Sequence, residues 1–198
     1  MHKVRFEQPS RRDDIDDRND YKSYKTELKE DFNCACGYCG DDCIHYEPHI
    51  DHFRPQNPKI SDADTLKLFQ EIKCSYENLV FSCPFCNRRK SNKWPTGCFE
   101  NTCDANVGFV DPCDPAYNEQ LGRHSDGRIY GKTPVGKYMF REIGLGLFRH
   151  QLLWLIKTTK HLKHRIAASD RGPAEKGIVL EELTIVLESL ESMLRGEV

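Results

Sequence analysis

Apolar residues recur along this chain with helical spacing in several stretches and gather into short runs elsewhere. Tyr21, Tyr24, Leu28 and Phe32 fall near i, i+3, i+7 and i+11, which places them on one helix face. Their rings are read as core packing. Residues 61–72 open on Ser61 and carry Leu66, Phe69 and Ile72, the pattern of a short helix. From Thr133 the pattern turns helical again, with Thr133 as N-cap, Pro134 at the first helical position, and Gly144 and Gly146 at the close. Leu152, Leu155, Ile156, Leu162 and Ile166 define a second amphipathic helix. Ser169 to Pro173 breaks it. A third then carries Val179, Leu183, Val186, Leu190 and Leu194 and ends before Gly196. Two short runs read as strands: His49 to Phe53, ended by Pro55 and Pro58, and Leu79 to Ser82. Gly108 to Pro112 reads as extended, and Ser125 to Tyr130 as a turn feeding a strand. Cys83 to Asn92 reads as a knuckle that turns into a helix.

Mixed short strands and helices over 198 residues predict an α+β protein of one domain plus a lobe. The expected segments are a charged lead-in (1–19), a cysteine-bearing domain (20–96), an irregular linker with short strands (97–132) and a helical lobe (133–198). Residues 10–20, SRRDDIDDRND, are nearly all charged and are expected to form a solvated tail or a poorly ordered lead-in. A hydrophobic fraction of 38% and a net charge of −2 suit a soluble chain. Any affinity for nucleic acid must then come from a local patch. One basic patch is the polar side of the second amphipathic helix, with Lys157, Lys160, Lys163, His164 and Arg165; it is read as a solvated face. The densest apolar run, Leu152 to Ile156, is far too short to span a bilayer, and no apolar segment follows Met1. A cytoplasmic protein without membrane partners is expected.

Ten cysteines change the picture. Without a secretion signal, metal ligation is the better default than disulfides. Cys36-Gly-Tyr-Cys39 and Cys83-Pro-Phe-Cys86 are two CxxC turns, each aiming two thiolates at one point. Together they complete the closed tetrahedron of a structural Zn²⁺ site. Cys34, Cys43, Cys74, Cys98, Cys103 and Cys113 are read mostly as small core residues. Cys34 competes with Cys36 for the metal on this reading, and Cys98 with Cys103 is a looser second pair.

Between and after the pairs lie His49, Asp51, His52, Asn78 and Asn87-Arg88-Arg89-Lys90. A carboxylate and an amide oxygen make a sparse hard-ligand site suited to Mg²⁺ or Mn²⁺. A histidine beside it takes a proton from water near neutral pH. Basic residues on the following helix suit a phosphate. These are the parts for metal-assisted phosphodiester hydrolysis. Side-chain alternation puts His49 and Asp51 on one face of a regular strand and His52 on the other. Asp51 and His52 can therefore share a centre only if the strand is bulged or the ion lies at its edge. His49 is read as a packing residue.

The Asp51-His52 pair, Asn78, and Asn87 after a CxxC turn resemble the HNH endonuclease motif built on a zinc-bound ββα-metal finger. The likeness covers residues 34–93. The flanks are similar to HNH effectors of Septu-type and retron-associated anti-phage systems: Phe32 before CxxC, the Phe109 to Pro112 segment, a strand over Asp126 to Tyr130 and a helical tail. The resemblance implies His52 as general base, Asp51 and Asn87 as ligands of the catalytic metal, and Asn78 as the residue fastening the loop that holds His52. It implies Lys90 with Arg88 or Arg89 on the phosphate, DNA as substrate, and an ABC-type ATPase partner. Cleavage of RNA such as tRNA, or an inactive zinc-stabilised binding module, are the alternatives. Two features depart from the pattern. The insert between Pro55 and Glu77 is long, and reads as a substrate arm, a partner surface or decoration. Ser91 stands where some members of the family carry a further histidine.

Overall fold

The computed structural model describes residues 2–44 and 46–196. Met1, Glu197 and Val198, at the outer ends of the expected lead-in and helical lobe, lie outside the described residues, as does His45. The fold is α+β. The chain divides into two compact units, Met1–His124 with Ile129–Gly146, and Ser125–Arg128 with Leu147–Val198.

In the first unit a 3-10 turn, Tyr21–Tyr24, runs into α1 (Lys25–Asp31). Strand β1 (His49–His52) pairs antiparallel with β2 (Leu79–Ser82) in unbroken register, His49 against Ser82 through His52 against Leu79. Between them lie α2 (Ala63–Glu71) and a 3-10 turn, Tyr76–Asn78. Helix α3 (Pro84–Lys90) follows β2 directly. Cys83 is its N-cap and Pro84 occupies the first turn, where a missing N–H costs nothing. This β1–β2–α3 unit is sealed by Tyr24, Leu28, Phe32, Tyr38, Leu79 and Phe81, all buried.

Helix α2 begins one residue later than Ser61 suggests, because Asp62 caps it by accepting from the Thr65 N–H. The insert is not a loose arm. Phe69 is fully buried, edge-on to Trp94 and Phe99 at 5.7 and 5.1 Å.

The rest of the unit is α4 (Tyr117–Gln120), the hairpin β3 (Leu121–Arg123) with β4 (Ile129–Gly131), and α5 (Pro134–Ile143). Thr133 caps α5 by accepting from the Gly136 N–H, and Gly144 closes it in the left-handed conformation.

Most of residues 10–20 are exposed, as a solvated segment would be, but the stretch is tied down through its arginines. Arg11 donates to the Leu79 carbonyl and to both oxygens of Asp111. Arg12 pairs with Glu30 and Asp31, and Arg18 with Glu27. The reason is local charge complementarity with α1 and a distant aspartate.

In the second unit, α6 (Phe148–Ala167) packs on α7 (Pro173–Arg195). Lys160 pairs with Glu191, and Lys163 donates to Thr184, so part of the basic face of α6 is spent on its neighbour. The α7 face that is half-buried carries Leu180, Leu183, Leu187, Leu190 and Leu194. Val186, expected on that face, is exposed together with Ile178, Ile185 and Met193. Among the described residues, no helix is long and apolar enough to cross a membrane.

Candidate functional site

The thiols of Cys36, Cys39, Cys83 and Cys86 lie within 4.8 Å of one another, and all four residues are buried. Cys39 Sγ and Cys83 Sγ are 3.9 Å apart. A zinc tetrahedron with bonds of about 2.3 Å has an edge of about 3.8 Å, so the cluster fits that ion. Burial first, and then hydrogen bonds with neighbouring thiols, push the Cys39 and Cys86 thiols well up, whereas hydrogen bonds from the other thiols pull Cys83 far down. A metal resolves that conflict by accepting all four as thiolates. Neither Cys34, which is exposed, nor Cys98 with Cys103 joins a metal-competent group among the described residues.

The first CxxC turn is held from outside. Arg5 donates to the Gly37 carbonyl at 2.8 Å, Tyr117 to the Tyr38 carbonyl at 2.7 Å and Arg123 to the Cys39 carbonyl at 2.7 Å. Gly40 follows at φ +75, where a side chain would press on the Val4 carbonyl. Four thiolates around one divalent ion leave two negative charges, and the two buried guanidiniums supply the balancing charge.

The β1–α3 face lies beside this cluster. The unbroken ladder puts His49 and Asp51 on one side of β1, and α3 meets them there. Asn87 Nδ2 lies 3.1 Å from His49 Nδ1. One turn further along the helix, Lys90 Nζ lies 3.0 Å from Asp51 Oδ2 and donates to the His52 carbonyl at 2.7 Å. Asp51 also accepts from the Tyr38 hydroxyl at 2.5 Å on the same oxygen. Burial, and then the Asp51 charge, hold that phenol well above its usual range, so it stays a donor.

His52 faces the other way. Its Nε2 lies 2.8 Å from the Lys73 carbonyl, Gln56 Nε2 lies 2.9 Å from that nitrogen and 3.2 Å from Nδ1, and the ring is edge-on to Tyr21 at 4.7 Å. Burial lowers its pKa from the usual histidine value, against the opposing pull of the Lys73 carbonyl and Asp51. The ring is thus held neutral at physiological pH. Asn78 clamps the loop after β1: its Oδ1 accepts from the Arg54 N–H at 2.8 Å and its Nδ2 donates to the Arg54 carbonyl at 3.0 Å.

A cavity of about 510 Å³ opens here, lined by Tyr21, Lys22, Lys25, Pro48, His49, Ile50 and Asn87. The structure therefore joins Asn87 to His49, sets Asp51 on the neighbouring rung, and leaves His52 across the strand behind Tyr21. Lys90 is not placed to grip a phosphate, as its residue type and position suggested. Its side chain is fully buried on Asp51. Arg88 folds back on the Pro84 carbonyl and the Phe85 ring, and Arg89 runs against Gly144. His49, read as packing, lines the cavity; its shared face with Asp51 was the signal for it. Lys22 and Lys25 carried no motif to mark them.

Residues 36–93 match the family model described as HNH endonuclease. This segment is an HNH domain. "Septu protein PtuB" of Bacillus mycoides (strain KBAB4) is 32% identical to the chain over 121 residues, which is 54% of this chain and 41% of that protein. The chain thus spans under half the length of that relative. No solved structure matches it. The HNH domain takes in the cysteine cluster, β1, the α2 insert, β2 and α3. Its supports at Arg5, Tyr117 and Arg123 lie outside the matched residues.

Proposed function

We propose that this chain is a metal-dependent endonuclease that hydrolyses phosphodiester bonds in DNA, acting in anti-phage defence with an ABC-type ATPase as partner. The observation that carries the reading is the pair of adjoining rungs on a cysteine-pinned hairpin and helix, His49 with Asn87 lining a cavity and Asp51 with Lys90 buried beside it. The donor set fits a hard divalent ion, Mg²⁺ or Mn²⁺. Both contacts of Asp51 fall on Oδ2, so Oδ1 is the ligand oxygen. Asn87 turns Nδ2 to His49, so its Oδ1 is the other. An ion held by these two oxygens would supply Lewis-acid stabilisation of the charge that develops on the phosphate.

The chain's own residues do the remainder. His49 fixes the Asn87 amide. Lys90 and Tyr38 fix Asp51. His52 lies across β1 from Asp51 but ends the strand, so the two serve one ion only at that end. There His52, neutral and bonded at Nε2 to the Lys73 carbonyl, is the base once water takes the place of the Gln56 amide, which lies 2.9 Å from Nε2 and 3.2 Å from Nδ1. The water oxygen bonds to phosphorus, its proton passes to His52, and the bond to the 3′ oxygen breaks, that oxygen taking a proton from solvent water. The products are a 5′-phosphate and a 3′-hydroxyl. Asn78 keeps the loop beyond His52 in register.

The test is incubation of the purified chain with plasmid, oligonucleotide and tRNA substrates, with Mg²⁺ or Mn²⁺ against EDTA. DNA cleavage that needs the ion and is lost in His52→Ala, with zinc content retained, is the expected result. Normal cutting by that variant removes His52 from its role. Cleavage of tRNA alone moves the substrate to RNA, and failure to cut any substrate with the partner ATPase present leaves a binding module.

A further inference from the structure

On α3, Lys90 is spent on Asp51 and the exposed Arg88 and Arg89 do not line the cavity at His49 and Asn87, yet that cavity is not without cations. Two line it, and both come from the helical segment ahead of the HNH domain: Lys22 in the 3-10 turn and Lys25 at the start of α1. Lys22 is exposed, and its ammonium has no ion pair among the described residues. Lys25 pairs with Glu47, but both side chains are largely exposed, and such a pair yields readily to a phosphate. Asp20 caps the turn, accepting from the Lys22 N–H at 3.0 Å, and so fixes the backbone that carries both lysines.

Tyr21 is the third member. It lines the same cavity, and its ring is braced edge-on by His52 at 4.7 Å. A half-buried aromatic held by its neighbour and flanked by two cations is the arrangement that binds an unpaired nucleotide, with the ring on the base and the ammoniums on the backbone. Paired bases in a duplex keep their faces stacked on one another and present none to Tyr21.

We propose that Tyr21, Lys22 and Lys25 form the substrate-gripping element, and that the cavity takes an unpaired segment of polynucleotide with its backbone against Lys22 and Lys25. This rests on the nuclease reading for what happens next, but not for binding itself.

Binding is therefore measured in EDTA, by fluorescence anisotropy with the full zinc-loaded chain. The probes are labelled single-stranded DNA and RNA oligonucleotides of about 12 residues, a length within the range of single-strand sites, and the matching duplex. Wild type should prefer the single strands. Lys22→Ala/Lys25→Ala should weaken binding of every sequence and flatten the log–log salt dependence by about 1.4, the value for two lost contacts to a single strand. Lys22→Arg should retain affinity. Tyr21→Ala should lose roughly ten-fold or more, and Tyr21→Phe much less. Duplex binding as tight as single-strand binding, or an unchanged salt slope in the double variant, overturns the proposal. Equal affinity for the DNA and RNA strands supports it, because ring and ammoniums contact groups common to both. Loss of cleavage with intact, lysine-dependent binding would count against the catalytic reading alone; normal cleavage with lysine-independent binding would count against this one alone.

Discussion

Substitution of Lys90 by methionine tests whether the buried ion pair holds the site together. The ammonium lies 3.0 Å from Asp51 Oδ2, and Lys90 is fully buried with Asp51 5% exposed. At that separation the attraction is about 5.5 kcal/mol for an effective dielectric constant of about 20. Burying both ions offsets most of it, so the intact pair contributes little net stability. Removing one partner is a different matter. It strands the carboxylate among Tyr38 and the hydrophobic core and frees the His52 carbonyl, a loss of about 3–5 kcal/mol. Lys90→Met/Asp51→Asn has no stranded charge, and the Asn amide oxygen still accepts from Tyr38, so at least half of the loss should return. Urea unfolding followed through Trp94, buried in the same unit, reads both variants. A single variant within about 1 kcal/mol of wild type, or a double variant as weak as the single, refutes the reasoning.

Two other substitutions probe separate parts of the first unit. Cys86→Ser removes one of four sulfurs from the cluster; bound zinc per chain and melting temperature should both fall, since zinc contributes about 10–16 kcal/mol in finger peptides, and unchanged metal analysis would reject the site. Asp31 is held below the usual carboxylate range: burial would raise it, but hydrogen bonds from the Arg12 N–H, Tyr76 and the Arg12 side chain outweigh that. Because its folded pKa is depressed, the stability it contributes is present above the unfolded value of about 3.9 and disappears as pH falls through the folded one. Asp31→Asn should therefore melt below wild type at neutral pH and converge with it in acid; a constant gap across that range would contradict the assignment.

Much of this was legible in the sequence, for reasons that can be located. Leu79 to Ser82 is an apolar run bounded by a turn and a CxxC, and β2 occupies those four residues. Thr133-Pro134 and Gly144 are local cap signals that need no tertiary knowledge, and α5 begins and ends on them. The two CxxC turns announced a shared point in space, and their sulfurs meet. Other features depended on partners far away. Arg11 looks solvated until Asp111, a hundred residues on, is brought to it. Lys90 looks like a surface cation until Asp51 is set under it. Leu121-Gly-Arg123 is too short and too weakly apolar to read as a strand, and becomes β3 only against β4. On α7, Leu180 and Leu187 are half-buried while Val186 is exposed, because periodicity admits two neighbouring stripes and only packing selects one.

The three side chains that cap consecutive carbonyls of the first CxxC turn carry a practical consequence for anyone trimming this protein. Arg5 is upstream of the stretch that matches the HNH family, and Tyr117 and Arg123 are downstream of it. A fragment cut to the textual limits of the motif would keep every sulfur yet leave Gly37, Tyr38 and Cys39 with bare oxygens in what had been dry surroundings. Such a peptide has the ligands of a metal knot without the hands that tie it, and a minimal excised version should be sought with both flanks attached.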